Sequence, residues 1–283
     1  MANTNKRWVM GLVCAGLLIG CATVDPTQDG GQRVSQAWLR NEPVPLLRPV
    51  YGKALTTDAA YRIQHQALDQ LLQGRAPDGY KAGLTSLASQ QAYGASEPIA
   101  AVLLPGSGIK RSEDGYHVNL REYRQPVAEV EIGYRVAQTI RSPLPDVKAL
   151  RALIAEVMPV IELPDLAHSG SDKFHPLDLI ATNAGAKHYI VGAARASSVT
   201  DPNALAITLY RDGDALTQGT AFDVVGDQWQ TLLWLVNRTI ANGWAIEPGQ
   251  VLITGTLGKA VPLERGLYVA DYGRFGRIEW WVD

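Results

Sequence analysis

Apolar side chains recur at helical spacing in three stretches of the chain. The first begins at Thr57-Asp58, carries apolar residues at positions 60, 63, 67, 68, 71 and 72, and meets a stop signal at Gly74. Spacings of three and four residues place these side chains on one face, so the stretch predicts an amphipathic helix over 57–74. The same periodicity predicts helices over 146–158 and 227–242.

Short β-branched or alternating runs separate these helices. They predict strands over 127–134, 160–163, 189–191, 204–210, 251–254 and 278–282. Asp212-Gly213, between two such runs, indicates a tight hairpin turn. Because the strands outnumber the helices and do not alternate regularly with them, we predict an α+β fold. Its distorted, mainly antiparallel sheet is rolled up and flanked by helices, unlike a doubly wound parallel sheet.

The amino terminus has the pattern of a secretory signal. Lys6 and Arg7 precede an apolar run over 8–20, which ends at Cys21. This run is shorter than the roughly 20 residues that a membrane-spanning helix needs. Residues 18–21, Leu-Ile-Gly-Cys, resemble a bacterial lipobox, and that resemblance implies cleavage before Cys21 and lipid on its sulfur. The alternative is an ordinary uncleaved N-terminal anchor.

These signals divide the chain into three parts. Residues 1–20 are the predicted lipoprotein signal peptide, 21–55 a tether and irregular arm rich in proline and glycine, and 56–283 a single folded domain. The chain has 2 cysteines, and cleavage would leave only Cys21, which suits a cysteine reserved for lipid. We therefore expect a protein of the bacterial cell envelope, lipid-anchored to a membrane outside the cytoplasm.

Composition and motifs exclude several classes of function. A chain with 46% hydrophobic and 19% charged residues is not disordered. Its formal net charge of −2 and the absence of a Lys/Arg block argue against nucleic-acid binding. The sequence contains neither a G-x-G-x-x-G nor a P-loop motif, so a nucleotide cofactor has no support. It also lacks the G-x-S-x-G motif of serine hydrolases.

Three acidic residues and one lysine are candidates for chemistry. In the alternating run 127–132, Glu129 and Glu131 share one strand face, where a hard divalent cation such as Mg²⁺ or Mn²⁺ would offset their repulsion. The alternative is a solvated face. Glu162 lies in an apolar run and needs a partner, which is either a third role in metal binding or a salt bridge. Lys81 is either a functional cation or an edge-strand lysine whose ammonium lies in water.

Six segments in the same order along the chain resemble those of a known family. They are 79–86 (GYKAGLTS), 94–99 (GASEPI), 129–132 (EVEI), 161–165 (IELPD), 180–184 (IATNA) and 252–257 (LITGTL). Together they resemble the 2-keto-4-pentenoate hydratase and 4-oxalocrotonate decarboxylase family of the fumarylacetoacetate hydrolase superfamily. The resemblance runs from about residue 55 to the end, which makes 56–283 a hydratase-like catalytic domain.

This resemblance implies a fumarylacetoacetase-like fold and a set of roles. The implied Mg²⁺ or Mn²⁺ ligands are Glu129, Glu131 and Glu162, and Lys81 is the implied catalytic residue, which handles a proton or the substrate's charge. Substrate contacts are implied for Leu84, Ser86, Asp165, Asn183 and Thr256. The implied reaction is that of a hydro-lyase on a small 2-oxo or 2-hydroxydienoic acid, and the protein is a possible homo-oligomer.

The sequence departs from the family in ways that keep two alternatives open. Thr182 stands where the family has Asp, and Thr256 stands where it has Ser. A lipoprotein signal also separates the chain from cytosolic relatives that degrade aromatic rings. One alternative is therefore a non-catalytic, lipid-anchored envelope protein that binds a metal or a small acid. The other is C–C bond hydrolysis, which commonly uses a His–Glu pair to activate water.

Overall fold

The computed structural model describes residues 26–170 and 172–283. The predicted signal peptide and Cys21 lie outside the described residues. Within the described ranges, no helix has both the length and the apolar character needed to cross a lipid bilayer.

The described residues contain seven α-helices. In chain order they are α1 (Pro26–Leu39), α2 (Arg48–Tyr51), α3 (Thr57–Leu72), α4 (Leu87–Tyr93), α5 (Val147–Arg151), α6 (Pro176–Ala181) and α7 (Gln228–Ala241). Short 3₁₀ turns occupy several of the connections between these helices and the strands.

The same part of the chain contains fifteen β-strands. They are β1 (Val44–Pro45), β2 (Gly79–Gly83), β3 (Ile99–Leu103), β4 (Tyr116–Val118), β5 (Val127–Val136), β6 (Ile154–Leu163), β7 (His168–Ser169), β8 (His188–Val191), β9 (Arg195–Ala196), β10 (Ala206–Arg211), β11 (Asp214–Thr220), β12 (Val251–Ile253), β13 (Val261–Pro262), β14 (Gly266–Asp271) and β15 (Arg277–Val282).

The strands form one large sheet, one smaller sheet and a two-stranded pair. The large sheet has the order β3-β2-β12-β5-β6-β8, with β13 added to β5 and β9 added to β6. The smaller sheet has the order β11-β10-β14-β15-β4, and β1 pairs with β7. Most neighbours are antiparallel, whereas β2–β12, β4–β15 and β1–β7 are parallel. The predicted α+β class with a mainly antiparallel sheet is confirmed.

The large sheet curls until its two edges meet. The segment after β3 reaches β8, where the amide of Tyr189 donates to the carbonyl of Ser107 at 3.1 Å and the amide of Ile109 donates to the carbonyl of Tyr189 at 2.8 Å. The inner face of this roll carries a small apolar cluster separate from the main core: Leu103, Met158, Val160, Tyr189, Val251 and Ile253. Gly133 gives this cluster its space, because a Cβ there would lie 2.5 Å from Cγ2 of Val160.

The outer face of the roll packs against α7, and the smaller sheet packs against β6. Tyr134 on β5 donates its hydroxyl hydrogen to Gln228 of α7 at 3.1 Å, and its ring lies 5.8 Å from that of Trp229. Ile278 of β15 approaches Pro159 of β6, where Gly192 leaves room for both side chains. Helices and a second sheet therefore cover the outer face, and the polar chemistry is left to the inner face.

Two predicted segments differ from the structure. The predicted helix over 146–158 is wrong beyond Arg151, since β6 begins at Ile154. Its apolar positions satisfy helical spacing, but a strand between β5 and β8 buries both faces, and that burial overrides the local pattern. Part of the predicted irregular arm over 21–55 is helix α1, in which Gly30 and Gly31 allow close approach to Ile63 and Gln66 of α3.

Other local predictions agree with the structure. Helices α3 and α7 occupy the predicted stretches 57–74 and 227–242, ending slightly earlier than predicted. The Asp212-Gly213 hairpin joins β10 to β11, with φ angles of 51° and 93°. Both angles lie in the left-handed region, as the predicted hairpin turn requires.

Candidate metal centre

Three glutamates meet inside the roll at one end of β5 and β6. Glu129 and Glu131 alternate along β5, and the register of the ladder sets Glu162 of β6 directly opposite Glu129. One carboxylate oxygen from each residue lies within 4.8 Å of the other two. Glu131 and Glu162 are 0% and 1% exposed, and Glu129 is partly exposed. The solvated-face alternative therefore does not describe this strand.

Lys81 reaches the same cluster from β2. This strand lies between β3 and β12, and the residue is 3% exposed, so the edge-strand alternative for Lys81 is wrong. Its Nζ donates to Oε1 of Glu162 and, at 3.1 Å, to the carbonyl oxygen of Ala184. The salt-bridge alternative for Glu162 thus accounts for one of its two oxygens.

Two carboxylate oxygens in the cluster have no protein partner. Oε2 of Glu131 accepts from the amide of Gly255 at 2.7 Å, whereas its Oε1 is buried and unpaired. Oε2 of Glu162 is likewise buried and unpaired. Leaving a buried charged oxygen unsatisfied is costly, so native structures rarely do it without a ligand. The two oxygens, with the carboxylate of Glu129, form the all-oxygen donor set that Mg²⁺ and Mn²⁺ prefer.

Burial and like charges shift the protonation of these carboxyl groups. Burial, followed by the charge of Glu162, raises the pKa of Glu129 to about 7, although Lys81 and a hydrogen bond with Thr256 oppose the shift. Burial and the charges of Glu162 and Glu129 raise the pKa of Glu131 well above its usual value. For Lys81, burial lowers the pKa, but the three glutamates outweigh it and the net shift is upward. Without a bound cation, the three carboxyl groups of the cluster share the single ammonium of Lys81.

A left-handed glycine brings one wall of the site into place. Gly255 lies just after β12 with φ = 95°, and a Cβ at this position would lie 2.0 Å from Oγ1 of Thr85. The close approach lets the Gly255 amide reach Glu131, and the next side chain, Thr256, acts on the carboxyl of Glu129 and lowers its pKa. Of the residues predicted to contact substrate, Thr256 is therefore brought to the glutamates.

The other four residues predicted to contact substrate have partners within the protein. Leu84 has φ = 52°, and its carbonyl accepts from the side chain of Gln90. Ser86 caps α4, with its Oγ accepting from the amide of Ser89 at 3.0 Å. The roles of Leu84 and Ser86 toward a substrate stay predictions.

The carboxylate of Asp165 accepts from the main-chain amides of Arg124 and Gln125 and from Lys187. The side-chain oxygen and the side-chain NH₂ group of Asn183 both form hydrogen bonds with the main chain of Val102. Asp165 and Asn183 therefore use their polar atoms to hold the protein's own loops. Their predicted substrate contacts are not tested by these bonds.

Lys81 has one partner that no sequence pattern indicates and that only folding creates. The carbonyl of Ala184 contacts Lys81 because residues 183–185 turn with φ angles of 55°, 47° and 64°. A left-handed alanine costs about 1–2 kcal/mol, and no sequence pattern marked it. Thr182, which replaces the family's Asp, donates its hydroxyl hydrogen to the carbonyl of Asp178 at 2.8 Å and so closes α6.

A His–Glu pair is also present, but it lies on the other side of the sheet. Nε2 of His188 lies 3.9 Å from the carboxylate of Glu122, and its Nδ1 lies 2.6 Å from the hydroxyl of Tyr123. Burial lowers the pKa of His188. In the ladder His188 is opposite Leu163, whereas Tyr189 is opposite Glu162. Since successive side chains leave opposite faces of a strand, His188 and the glutamates are on different faces.

A closed roll of mainly antiparallel strands with three carboxylates and a lysine inside it defines the class of this protein, that of the fumarylacetoacetate-hydrolase fold. The sequence profile of the fumarylacetoacetate (FAA) hydrolase C-terminal family matches residues 83–279. The chain belongs to this family. The match begins just after Lys81 and includes all three glutamates.

Relatives and solved structures agree with this membership. The chain is 27% identical over 255 residues to the 2-oxo-hept-4-ene-1,7-dioate hydratase of Escherichia coli, covering 87% of this chain and 94% of that enzyme. It is 28% identical over 239 residues to a 4-oxalocrotonate decarboxylase of a Pseudomonas species, covering 84% and 90%. The 4-oxalocrotonate decarboxylase of Pseudomonas putida G7, solved with magnesium and adipate, has the same fold, with a TM-score of 0.83, 22% identity and coverage of 91% and 97%.

Proposed function

We propose that the protein is a divalent-metal-dependent lyase of the hydratase type that acts on a small 2-oxo acid or 2-hydroxydienoic acid. The observation that carries this proposal is the pair of buried, unpaired oxygens on Glu131 and Glu162 beside the carboxylate of Glu129. Stability alone does not explain why a fold would bury three carboxylates against a single lysine. A functional cation does explain it.

In this proposal Glu129, Glu131 and Glu162 hold Mg²⁺ or Mn²⁺. When bound, such a cation would chelate the carboxylate and 2-oxygen of the acid and would stabilise the negative charge that develops there. Glu162 belongs both to the proposed metal ligands and to the contacts of Lys81, because one of its oxygens is unpaired and the other accepts from Lys81. A change at Lys81 would therefore alter the carboxylate that holds the metal.

Lys81 is the proposed catalytic residue. An ammonium group has three N–H donors, and the protein uses two of them, at Glu162 and Ala184. The third is free for an anionic substrate or for passing a proton to it. Thr256, whose side chain lowers the pKa of Glu129, is a further proposed contact for the substrate.

The choice of reaction within the family is part of the proposal. The relatives include both hydratases and a decarboxylase, and each of these reactions begins on a 2-oxo acid or its enol. C–C bond hydrolysis has weaker support. The His188–Glu122 pair that could activate water for it leaves the sheet on the face opposite to Glu162. We therefore favour a lyase over a hydrolase.

The first experiment is a thermal-unfolding titration of the purified protein with Mg²⁺ or Mn²⁺, with and without oxalate. Oxalate mimics the chelating end of a 2-oxo acid enolate. We expect the metal to raise the midpoint of unfolding and oxalate to raise it further only when metal is present. Turnover of 2-hydroxydienoic acids would then be screened. Absence of any stabilisation would contradict the proposal and favour a non-catalytic envelope protein.

We also propose that the protein is held at a membrane of the cell envelope by lipid on Cys21. The support for this is the basic pair, the short apolar run and the Leu-Ile-Gly-Cys sequence, all of which lie outside the described residues. Several acyl chains on one cysteine would give stable anchoring, since a single chain binds only marginally.

A further inference from the structure

Asn183 joins the loop after α6 to the edge of the large sheet. Its Oδ1 accepts from the amide of Val102 at 2.7 Å, and its Nδ2 donates to the carbonyl of the same residue at 2.8 Å. The side chain is 1% exposed. Val102 is on β3, which ends the order of the large sheet, and an edge strand leaves alternate main-chain groups unpaired. Asn183 satisfies the N–H and the C=O of Val102 at once, and we call such side-chain hydrogen bonds to the edge strand a clamp.

A second side-chain clamp holds the same strand two residues earlier. Nε2 of Gln64 donates to the carbonyl of Ala100 at 3.0 Å and to that of Ile180 at 2.8 Å. The hydroxyl of Tyr61 accepts from the amide of Ala100 at 3.0 Å. Gln64 is 2% exposed, so the two clamps are alike in burial and in the strand that they hold. They differ in their own backbone, because Gln64 lies within helix α3 and Asn183 lies in a turn.

Asn183 begins a run of three left-handed residues. The φ angles of Asn183, Ala184 and Gly185 are 55°, 47° and 64°. Asparagine and glycine tolerate this region, whereas alanine adopts it only where its surroundings impose it. The consequence of the run is the direction of one carbonyl group, that of Ala184, which accepts from Nζ of Lys81 at 3.1 Å.

The strand that Asn183 holds, β3, is the neighbour of β2, which carries Lys81. Val102 pairs with Tyr80 in the β2–β3 ladder, one residue before Lys81. The position of the Ala184 carbonyl relative to the ammonium is therefore set through a short path: the β2–β3 register, the two Asn183 hydrogen bonds and the left-handed run. No part of this path includes the glutamates.

We propose that Asn183 is a positioning residue for Lys81. By clamping residues 183–185 to Val102, it holds the Ala184 carbonyl against one N–H of the ammonium, which leaves the third N–H directed to the substrate. The meaning of this arrangement for catalysis rests on the proposed function, whereas the geometry does not. When the clamp is removed, the carbonyl turns away and the ammonium loses its fixed orientation.

The test compares Asn183→Gly with Gln64→Met. Glycine removes both Asn183 bonds but tolerates the positive φ, and methionine removes the Gln64 bonds to the carbonyls of Ala100 and Ile180. We expect both variants to unfold at a lower temperature. Only Asn183→Gly should lower kcat for 2-hydroxypenta-2,4-dienoate, by about 100-fold, because a small misplacement of a reacting group has an effect of that size. Its KM and Mg²⁺ affinity should stay within about threefold of wild type. If the kcat values of the two variants agree, Asn183 is only structural and the inference is overturned.

Crystal structures of the wild type and Asn183→Gly provide a readout without turnover. The distance from Nζ of Lys81 to the carbonyl oxygen of Ala184, 3.1 Å here, should exceed hydrogen-bond length in the variant. An unchanged distance overturns the inference. A wild-type protein inactive on the dienoate would count against the proposed function, and the crystal structures would then decide the inference alone. If Asn183→Gly does not fold, Asn183→Asp, which keeps the acceptor and loses the donor, takes its place with the same readouts.

Discussion

Lys81 and Glu162 form a salt bridge across the interior of the roll, although β12 and β5 lie between their two strands. In a flat sheet, three strand spacings would hold their backbones about 14 Å apart. Curling of the sheet brings the two side chains together. The pair is therefore a direct consequence of the closed roll, and both side chains are nearly inaccessible to water, at 4% and 1% exposure.

Replacing Lys81 by an uncharged residue should lower the free energy of unfolding. Lys81→Met leaves the carboxylate of Glu162 buried without its cation, and we expect the metal-free protein to lose about 3–5 kcal/mol of unfolding free energy. The double variant Lys81→Met/Glu162→Gln should recover most of this loss. Denaturant unfolding of both single variants and the double variant measures the coupling. Additive losses would mean that the two side chains do not stabilise each other.

Glu131→Gln should separate metal binding from folding. The pKa of Glu131 is raised well above its usual value, so an uncharged amide resembles the metal-free state, and the Gly255 amide keeps an acceptor. We expect unfolding without metal at or above the wild-type temperature. The stabilisation by Mg²⁺ and any turnover should be lost. A variant that retained full Mg²⁺ stabilisation would show that the metal binds elsewhere.

Metal affinity should rise with pH near neutrality. The pKa of Glu129 is raised to about 7 in the metal-free protein, so below that pH a cation must displace a proton. Calorimetry in two buffers of different ionisation enthalpy should detect proton release on Mg²⁺ binding.

The same shift has a consequence for stability. Because the folded carboxyl binds its proton more tightly than the unfolded one, whose usual pKa is 4.5, rising pH from there to about 7 should destabilise the metal-free protein. Thermal unfolding across this range without metal should show that trend, and Mg²⁺ should reverse it. A flat profile would argue against a protonated cluster.

Gly255 and Gly249 provide a matched test of the wall that carries Thr256. Their φ angles are 95° and 93°, but a Cβ at Gly255 would meet Thr85 at 2.0 Å, whereas nothing lies within 4 Å at Gly249. Gly249→Ala should therefore cost about 1 kcal/mol from the backbone alone. Gly255→Ala should cost about 1–3 kcal/mol more and weaken Mg²⁺ binding. Equal losses of unfolding free energy in the two variants would show that the Thr85 side chain moves aside without an energetic penalty.

The predicted lipid anchor has its own test. Cys21→Ser removes the only sulfur that could carry lipid after cleavage before residue 21. We expect incorporation of labelled palmitate in cells to be lost, and the protein to move from the membrane to the soluble fraction. Cys14→Ser is the matched control, because Cys14 would leave with the signal peptide. Labelling that survives in Cys21→Ser would contradict the anchor.

The local sequence determined those elements whose pattern of apolar and polar residues is compatible with only one secondary structure. The long periodic stretches became α3 and α7, the Asp212-Gly213 turn became a hairpin, and Glu129 and Glu131 fell on one strand face. Each of these features depends on neighbours within a few residues, where side-chain spacing or backbone preference decides the outcome. The family resemblance also named Lys81 and Glu162, but without a geometric reason for their proximity.

Tertiary structure decided the features that depend on distant partners. The apolar stretch from Ile154 satisfies both helical and strand patterns, and it became a strand because β5 and β8 bury its two faces. The contact of the Ala184 carbonyl with Lys81, the salt bridge to Glu162 and the two unpaired oxygens exist only after the sheet closes. Local spacing cannot encode them, because the free energy that selects them comes from burial and hydrogen bonding between segments far apart in the chain.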